Sequence, residues 1–196
     1  CLYIFEFYLI SKSVNSKEMR VQKEINIKQK ELLKKTGGKF DTRSQLEIYS
    51  DLKKNDINIQ VPYHPNFLIN KHNIFSFGGV SNSKTLHCNE NGYYSIYESD
   101  RYGFNNPDEE WDQKNFEFLL VGDSHVHGAC VNRPDDIASV LRTLSNKSVL
   151  NLGYSGWGPL VEYAILREYL IPNVNNVLWI YFEGNDLTDL KNELGS

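Results

Sequence analysis

The sequence predicts an α/β fold built on a parallel sheet and entered through an irregular, partly β segment. Three observations carry that expectation. From residue 116 onward, short apolar runs alternate with segments of helical periodicity, in the order strand, helix, strand, helix, strand. That rhythm belongs to parallel sheets with crossover helices. The last run, 176–182, is apolar along its length, as expected of a strand covered on both faces. Each run also ends in a loop of Gly, Ser and Asn, placed where ligands bind in an open α/β sheet.

Each element has a local reason. Residues 1–10 are apolar except for Glu6. As a helix they span about 15 Å, half a bilayer core. They read either as a buried or frayed N-terminal helix or as the tail of a transmembrane anchor, and the anchor is the expectation, because lysines follow directly. Residues 13–35 are lysine-rich and free of Pro and Gly, which suits a solvated helix or stalk ended by Gly37-Gly38. Residues 40–52 form a short helix, capped by Thr42 with Gln45 or by Ser44 with Glu47, with Leu46, Tyr49 and Leu52 on one face. Pro62 and Pro65 open an extended region holding His64 and His72, whose spacing fits no metal motif.

Thr85–Cys88 and Tyr93–Tyr97 flank Asn89-Glu90-Asn91-Gly92, a turn sequence that predicts a hairpin. A polar stretch, Ser99 to Pro107, leads into acidic Asp108–Asp112. Asp100 and Arg101 read either as an ion pair pinning this loop or as a surface pair of little worth. Phe116–Val121 is the first strand of the parallel sheet. Pro134-Asp135 opens a helix with Ile137, Val140, Leu141 and Leu144 as its apolar stripe. Val149–Leu152 is the second strand. Pro159 starts a helix that runs to about Ile171 and is stopped by Pro172. The resulting division is a membrane-proximal helix or stalk over 1–36, an irregular segment with a hairpin over 37–115, and the α/β domain over 116–196.

Composition narrows the function classes. Net charge is −4, which gives no general reason to expect a nucleic-acid partner. The charge is uneven: residues 11–35 hold eight Lys/Arg against three Glu, or +5, so the rest carries −9. A basic run of this kind is a solvated face or a contact with anionic lipid. Cys1, Cys88 and Cys130 form no Cys-x-x-Cys pair, so no zinc site is expected. Two buried free thiols are expected in preference to a Cys88–Cys130 disulfide. No cofactor and no metal are implied. His125-x-His127 has metal-pair spacing, but no third ligand completes it.

The three loops hold the chemistry. After the first strand comes Gly122-Asp123-Ser124, after the second Asn151 to Pro159, after the third Glu183-Gly184-Asn185-Asp186. Parallel strands end on one edge, so a serine, a glycine N–H and an asparagine amide can surround one point. Acyl transfer needs that set: a nucleophile, and donors where negative charge develops on a carbonyl oxygen.

In order and spacing, these loops resemble the SGNH (GDSL-type) hydrolases. The blocks are Gly122–Gly128, Tyr154-Ser155-Gly156 and Gly184-Asn185-Asp186. Ser124, Gly156 and Asn185 are spaced by 32 residues (124 to 156) and 29 residues (156 to 185). The resemblance covers residues 116–190. Phe40–Arg43, Ser99–Phe104 and Asn106-Pro107 are similar to a variant found in bacterial membrane-associated proteins. The resemblance implies a flavodoxin-like three-layer sandwich, here incomplete, with Ser124 as nucleophile and Gly156 N–H and the Asn185 side chain as oxyanion donors. Asp123 and Asp186 are expected to order their turns. Trp157 and Glu183 stand evenly between pocket lining and core or rim, and the bland reading of Ser124 is a helix N-cap.

One departure matters. The family's base is a histidine in a late Asp-x-x-His block, whereas the five histidines here lie at 64, 72, 87, 125 and 127. The chain starts at Cys1 and stops at Ser196. The expectation is a C-terminally truncated sequence, a poor catalyst as it stands. The expected activity is hydrolysis of an ester-linked acyl group on a small molecule, glycan or lipid. The alternatives are O-acyl transfer to a sugar and an inactive membrane-anchored binding module. By the same resemblance, the domain is expected to be anchored through its N-terminus and to face the periplasm or exterior.

Overall fold

Seven residues, Phe116–Gly122, form the central strand of a parallel sheet and organise everything around the site. A computed structural model of the chain describes residues 27–28, 30–35, 37, 40–62 and 75–195. The expected anchor at 1–10, His64 and His72 lie outside these residues. No helix among the described residues is long and apolar enough to cross a membrane.

The chain divides into two compact units, residues 1–42 with 91–93 and residues 43–90 with 94–196. In the first, residues 30–35 are helical and the Asp41 N–H donates to the Gly92 carbonyl at 2.7 Å.

The second unit mixes helix and strand. Helix α1, Gln45–Lys53, starts at Ser44, and of the two candidate caps the Ser44–Glu47 capping box is the one formed. Its inward face is Ile48, packed with Tyr49, Leu52, Ile59 and Leu86. The expected stripe is corrected at Leu46, which is 72% exposed, because helix packing onto the small sheet centres on Ile48. That sheet contains β1 (Ile59–Gln60), β2 (Lys84–Leu86) and β3 (Ile96–Glu98). Strand β1 runs parallel to β2, a pairing that two residues of sequence cannot signal. The β2–β3 pair is the expected hairpin, with Lys84 opposite Glu98 and Leu86 opposite Ile96. Asp108–Asp112 forms a 3₁₀ turn.

The larger sheet has the order β5-β4-β6, all parallel. Here β4 is Phe116–Gly122, β5 is Val149–Asn151 and β6 is Val174–Ile180. Leu119 of β4 packs in a cluster with Leu150, Leu152, Phe104, Tyr154, Trp157 and Ile165. Its neighbour Leu120 points the opposite way, into a cluster with Val126, Ala138 and Val149. Period-two alternation on a strand thus feeds two cores, one under each layer of helices.

Around this sheet lie α2 (Ser124–His127), α3 (Ile137–Ser145), α4 (Pro159–Tyr169) and α5 (Asp186–Leu194). Pro159 takes the first turn of α4 as expected. Helix α3 begins later than expected, capped by the Asp136 carboxylate on Ser139 N–H. Its stripe is also corrected, since Ile137, Val140 and Leu144 are exposed. The inward face holds Ala138, Leu141 and Arg142, and the Arg142 guanidinium donates to Val149 O and Asn106 Oδ1. These bonds hold the cation against the start of β5 and bring Arg142 to the inward side of the helix.

Strand β6 starts and ends two residues earlier than expected. The expectation that both its faces are covered is overturned: Val177, Leu178 and Trp179 are 37–43% exposed. It is an edge strand, paired among the described residues only with β4. Helix α5, not anticipated from sequence, follows its loop.

Candidate active site

Ser124 is the first residue of α2, a single turn directly after β4. Its N-cap is Asp123, whose Oδ1 accepts the His125 N–H at 2.9 Å. Ser124 is therefore not the cap; its Oγ donates to Asp123 Oδ2 at 3.4 Å and the residue is half-buried. Gly122 allows the sharp exit from β4, since a Cβ there would meet Val126 Cγ2 at 2.5 Å and Ile180 O at 2.8 Å. Gly156 is exposed and has φ +89°, a conformation that glycine adopts without steric penalty. Asn185 is half-buried and N-caps α5 by position. Its Nδ2 donates to Asp189 Oδ2 at 2.8 Å, and its Oδ1 is buried without a partner among the described residues.

The first loop is joined to each of the other two. Tyr154 N–H donates to Gly122 O at 3.3 Å, and Ser155 bonds to the His127 ring, tying the second loop to the first. His125 packs on Phe182 with ring centroids 4.4 Å apart, tying the first to the third. Glu193, in the last turn of α5, accepts the N–H groups of Gly158 and Leu160, each at 2.9 Å, tying the helix after the third loop to the end of the second loop and the start of α4. Ser124, Gly156 and Asn185 make no hydrogen bond with one another.

Buried acids surround this edge. Asp123, Glu162 and Asp186 are all 0–1% exposed. Glu162 Oε2 accepts the Trp179 indole N–H at 2.7 Å, while Oε1 has no partner among the described residues. Burial, with Asp186 and Asp123 nearby, pushes its carboxyl up to about 7. Asp186 Oδ2 accepts the Phe182 N–H at 2.6 Å, holding the third loop closed. Burial, aided by the Asp123 charge, raises its pKa too.

The two neighbouring histidines part company. His125 is exposed and His127 fully buried, so they do not form a metal pair. Trp157 belongs to the core, its indole donating to Phe77 O at 3.0 Å, and Glu183 is exposed. The thiol expectation is also overturned: Cys88 and Cys130 form a disulfide, Cα to Cα 4.8 Å. The reason is tertiary, since the hairpin lays Cys88 beside the loop that leaves α2. Asp100 does not pair with Arg101. Arg101 binds Asp108 and Asp112, while Asp100 is buried and accepts from Tyr102 N, Phe104 N, Asn106 Nδ2 and Trp111 Nε1.

Sequence reasoning missed Glu162, His87 and the Ser155–His127 contact. Glu162 reads as an ordinary acid in a first turn, and nothing local marks the others. A cavity of about 580 Å³ lies elsewhere in this unit, lined by Asn82, Lys84, Glu98, Asn106, Arg133 and their neighbours. It includes none of Ser124, Gly156 and Asn185. No family model, curated protein or solved structure matches this chain.

Proposed function

We propose that the chain carries the nucleophile half of an SGNH-type acyl-transfer site. Ser124 Oγ attacks an ester carbonyl, the Gly156 N–H and the second N–H of the Asn185 amide receive the oxyanion, and its collapse breaks the ester C–O bond, leaving an acyl-enzyme on Ser124 and releasing the alcohol, which takes up the proton lost by the serine hydroxyl. Water then completes an esterase reaction; a sugar hydroxyl completes an O-acyl transfer. The single observation that carries this reading is that the loop after β4 contacts the loops after both β5 and β6, and each of the three bears one of the required groups. A parallel sheet with helices packed on it is compatible with the flavodoxin-like sandwich of that family. The Cys88–Cys130 disulfide supports the outward-facing location, because disulfides persist in oxidising compartments.

A second reading, a binding module that keeps the fold without the chemistry, is favoured by one observation. Ser124 Oγ is bonded to a carboxylate and to no histidine, and an unassisted serine hydroxyl is a weak nucleophile.

Labelling of the intact protein with a serine-reactive phosphonate decides between them. The first reading expects one adduct, on Ser124, absent from Ser124→Ala. No adduct, or equal labelling of both proteins, overturns the first.

A further inference from the structure

We propose that His127 is a positioning residue for acyl transfer at Ser124, setting the oxyanion turn from the same helical turn that carries the nucleophile. The inference rests on the reading above. His127 is 0% exposed and lies three residues after Ser124 on α2. Its Nδ1 accepts the Ser155 backbone N–H at 3.1 Å and lies 2.9 Å from Ser155 Oγ. A ring nitrogen that accepts an amide N–H carries no proton of its own. The ring is therefore neutral, protonated on Nε2, which is buried without a partner among the described residues, and the Ser155 hydroxyl donates to Nδ1. Burial, with His87 nearby, holds its pKa well below that of a free histidine, consistent with that state.

The ring itself cannot swing. It stacks on Tyr154 at 4.8 Å, meets Tyr97 edge-on at 5.1 Å, and lies 4.8 Å from His87. His87 also approaches Ser155 Oγ, at 3.5 Å. The backbone of α2 is held as firmly: Asn105 donates to His127 O at 2.9 Å, and Asn151 donates to Val126 O at 2.7 Å.

Ser155 directly precedes Gly156, and the peptide between them supplies the Gly156 N–H. The bond to the Ser155 N–H holds the Tyr154–Ser155 peptide and the bond to the hydroxyl holds the Ser155 side chain, so the next peptide, with the Gly156 N–H, turns from a fixed base about Ser155 ψ alone. One ring thus sets the second loop's donor relative to Ser124. A phenylalanine would fill the aromatic box but take away the acceptor of the Ser155 N–H. An asparagine would lose the ring yet place Oδ1 near the position of Nδ1.

The test compares wild-type protein with His127→Phe and His127→Asn, measuring the phosphonate capture rate, the adduct's position by peptide mapping, and the melting temperature. Capture at Ser124 should slow about 10- to 100-fold in His127→Phe. His127→Asn should regain most of the rate while melting no higher than His127→Phe. Equal rates in wild type and His127→Phe overturn the proposal, as does a rate that merely tracks melting temperature across both variants. An adduct on Ser155 also overturns it, since the ring would then serve a different nucleophile. Absence of any adduct in wild type sinks the underlying reading instead. Should His127→Phe not fold, long-range proton–nitrogen NMR of wild type decides: an unprotonated Nδ1 supports the proposal and a protonated one ends it.

Discussion

Glu162 illustrates how a single side chain can set pH behaviour. When folded, it keeps its proton up to about pH 7, against an ordinary 4.5, chiefly because it is buried. Below pH 4.5 both folded and unfolded chains are protonated there and the site is neutral for stability. As pH rises from 4.5 to 7, the unfolded chain ionises first, and the folded state loses stability through that window. Glu162→Gln keeps an acceptor for Trp179 and removes the ionisation. It should raise the melting temperature by roughly 2–6 °C at pH 8 and leave it nearly unchanged at pH 4. Thermal melts at the two pH values check this, and an equal shift at both would show that the carboxyl does not titrate in this range. His87 works in the opposite sense. Burial lowers its pKa from 6.5 to about 4, so it is neutral for stability above pH 6.5, and the folded state loses stability as pH falls from 6.5 toward 4.

At the scale of elements, the connection from β3 to the 3₁₀ turn is organised by Asp100. One buried carboxylate accepts four donors, and one of those donors, Asn106, docks onto β5 through Asn151 O and N. Asp100→Ala leaves those donors buried and unanswered. It should cost about 3 kcal/mol or more, read as a lower urea midpoint, with Asp100→Asn falling between the two. A loss below about 1 kcal/mol would show that Arg101 with Asp108 and Asp112, and not Asp100, holds this connection. Those ion pairs are exposed and are expected to contribute little. The sequence offered the Asp100-Arg101 pair as a unit; the fold separates them, sending the carboxylate inward and the guanidinium outward.

Across the whole second unit, the disulfide links residues 42 apart in sequence and ties the hairpin to the loop beyond α2. Closing a loop of that length is worth about 4 kcal/mol in chain entropy. Cys88→Ser should therefore lower the unfolding free energy by roughly 2–4 kcal/mol, and a reducing agent should do the same to the wild type in urea titrations. No change on reduction would mean that the thiols are unpaired. The molecule also leaves apolar surface on α3 and β6, where Ile137, Val140, Leu144, Val177 and Trp179 are exposed.

What the sequence determined by itself is the set of features that act over a turn or a strand. The apolar run of β4, the Ser44–Glu47 cap as one of two candidates, Pro159 at the head of α4 and the order of the three loops were legible, because apolar runs, capping and proline geometry are local. Ser124, Gly156 and Asn185 could be nominated for the same reason: strand ends are local and parallel strands share an edge. Only the tertiary structure decided the rest. It placed Cys88 against Cys130, sent His127 inward and His125 outward, turned the α3 stripe away from the core, and gave the Asn185 amide to Asp189. Each outcome depends on burial and on partners distant in the chain, and desolvation and pairing are properties of the assembled fold.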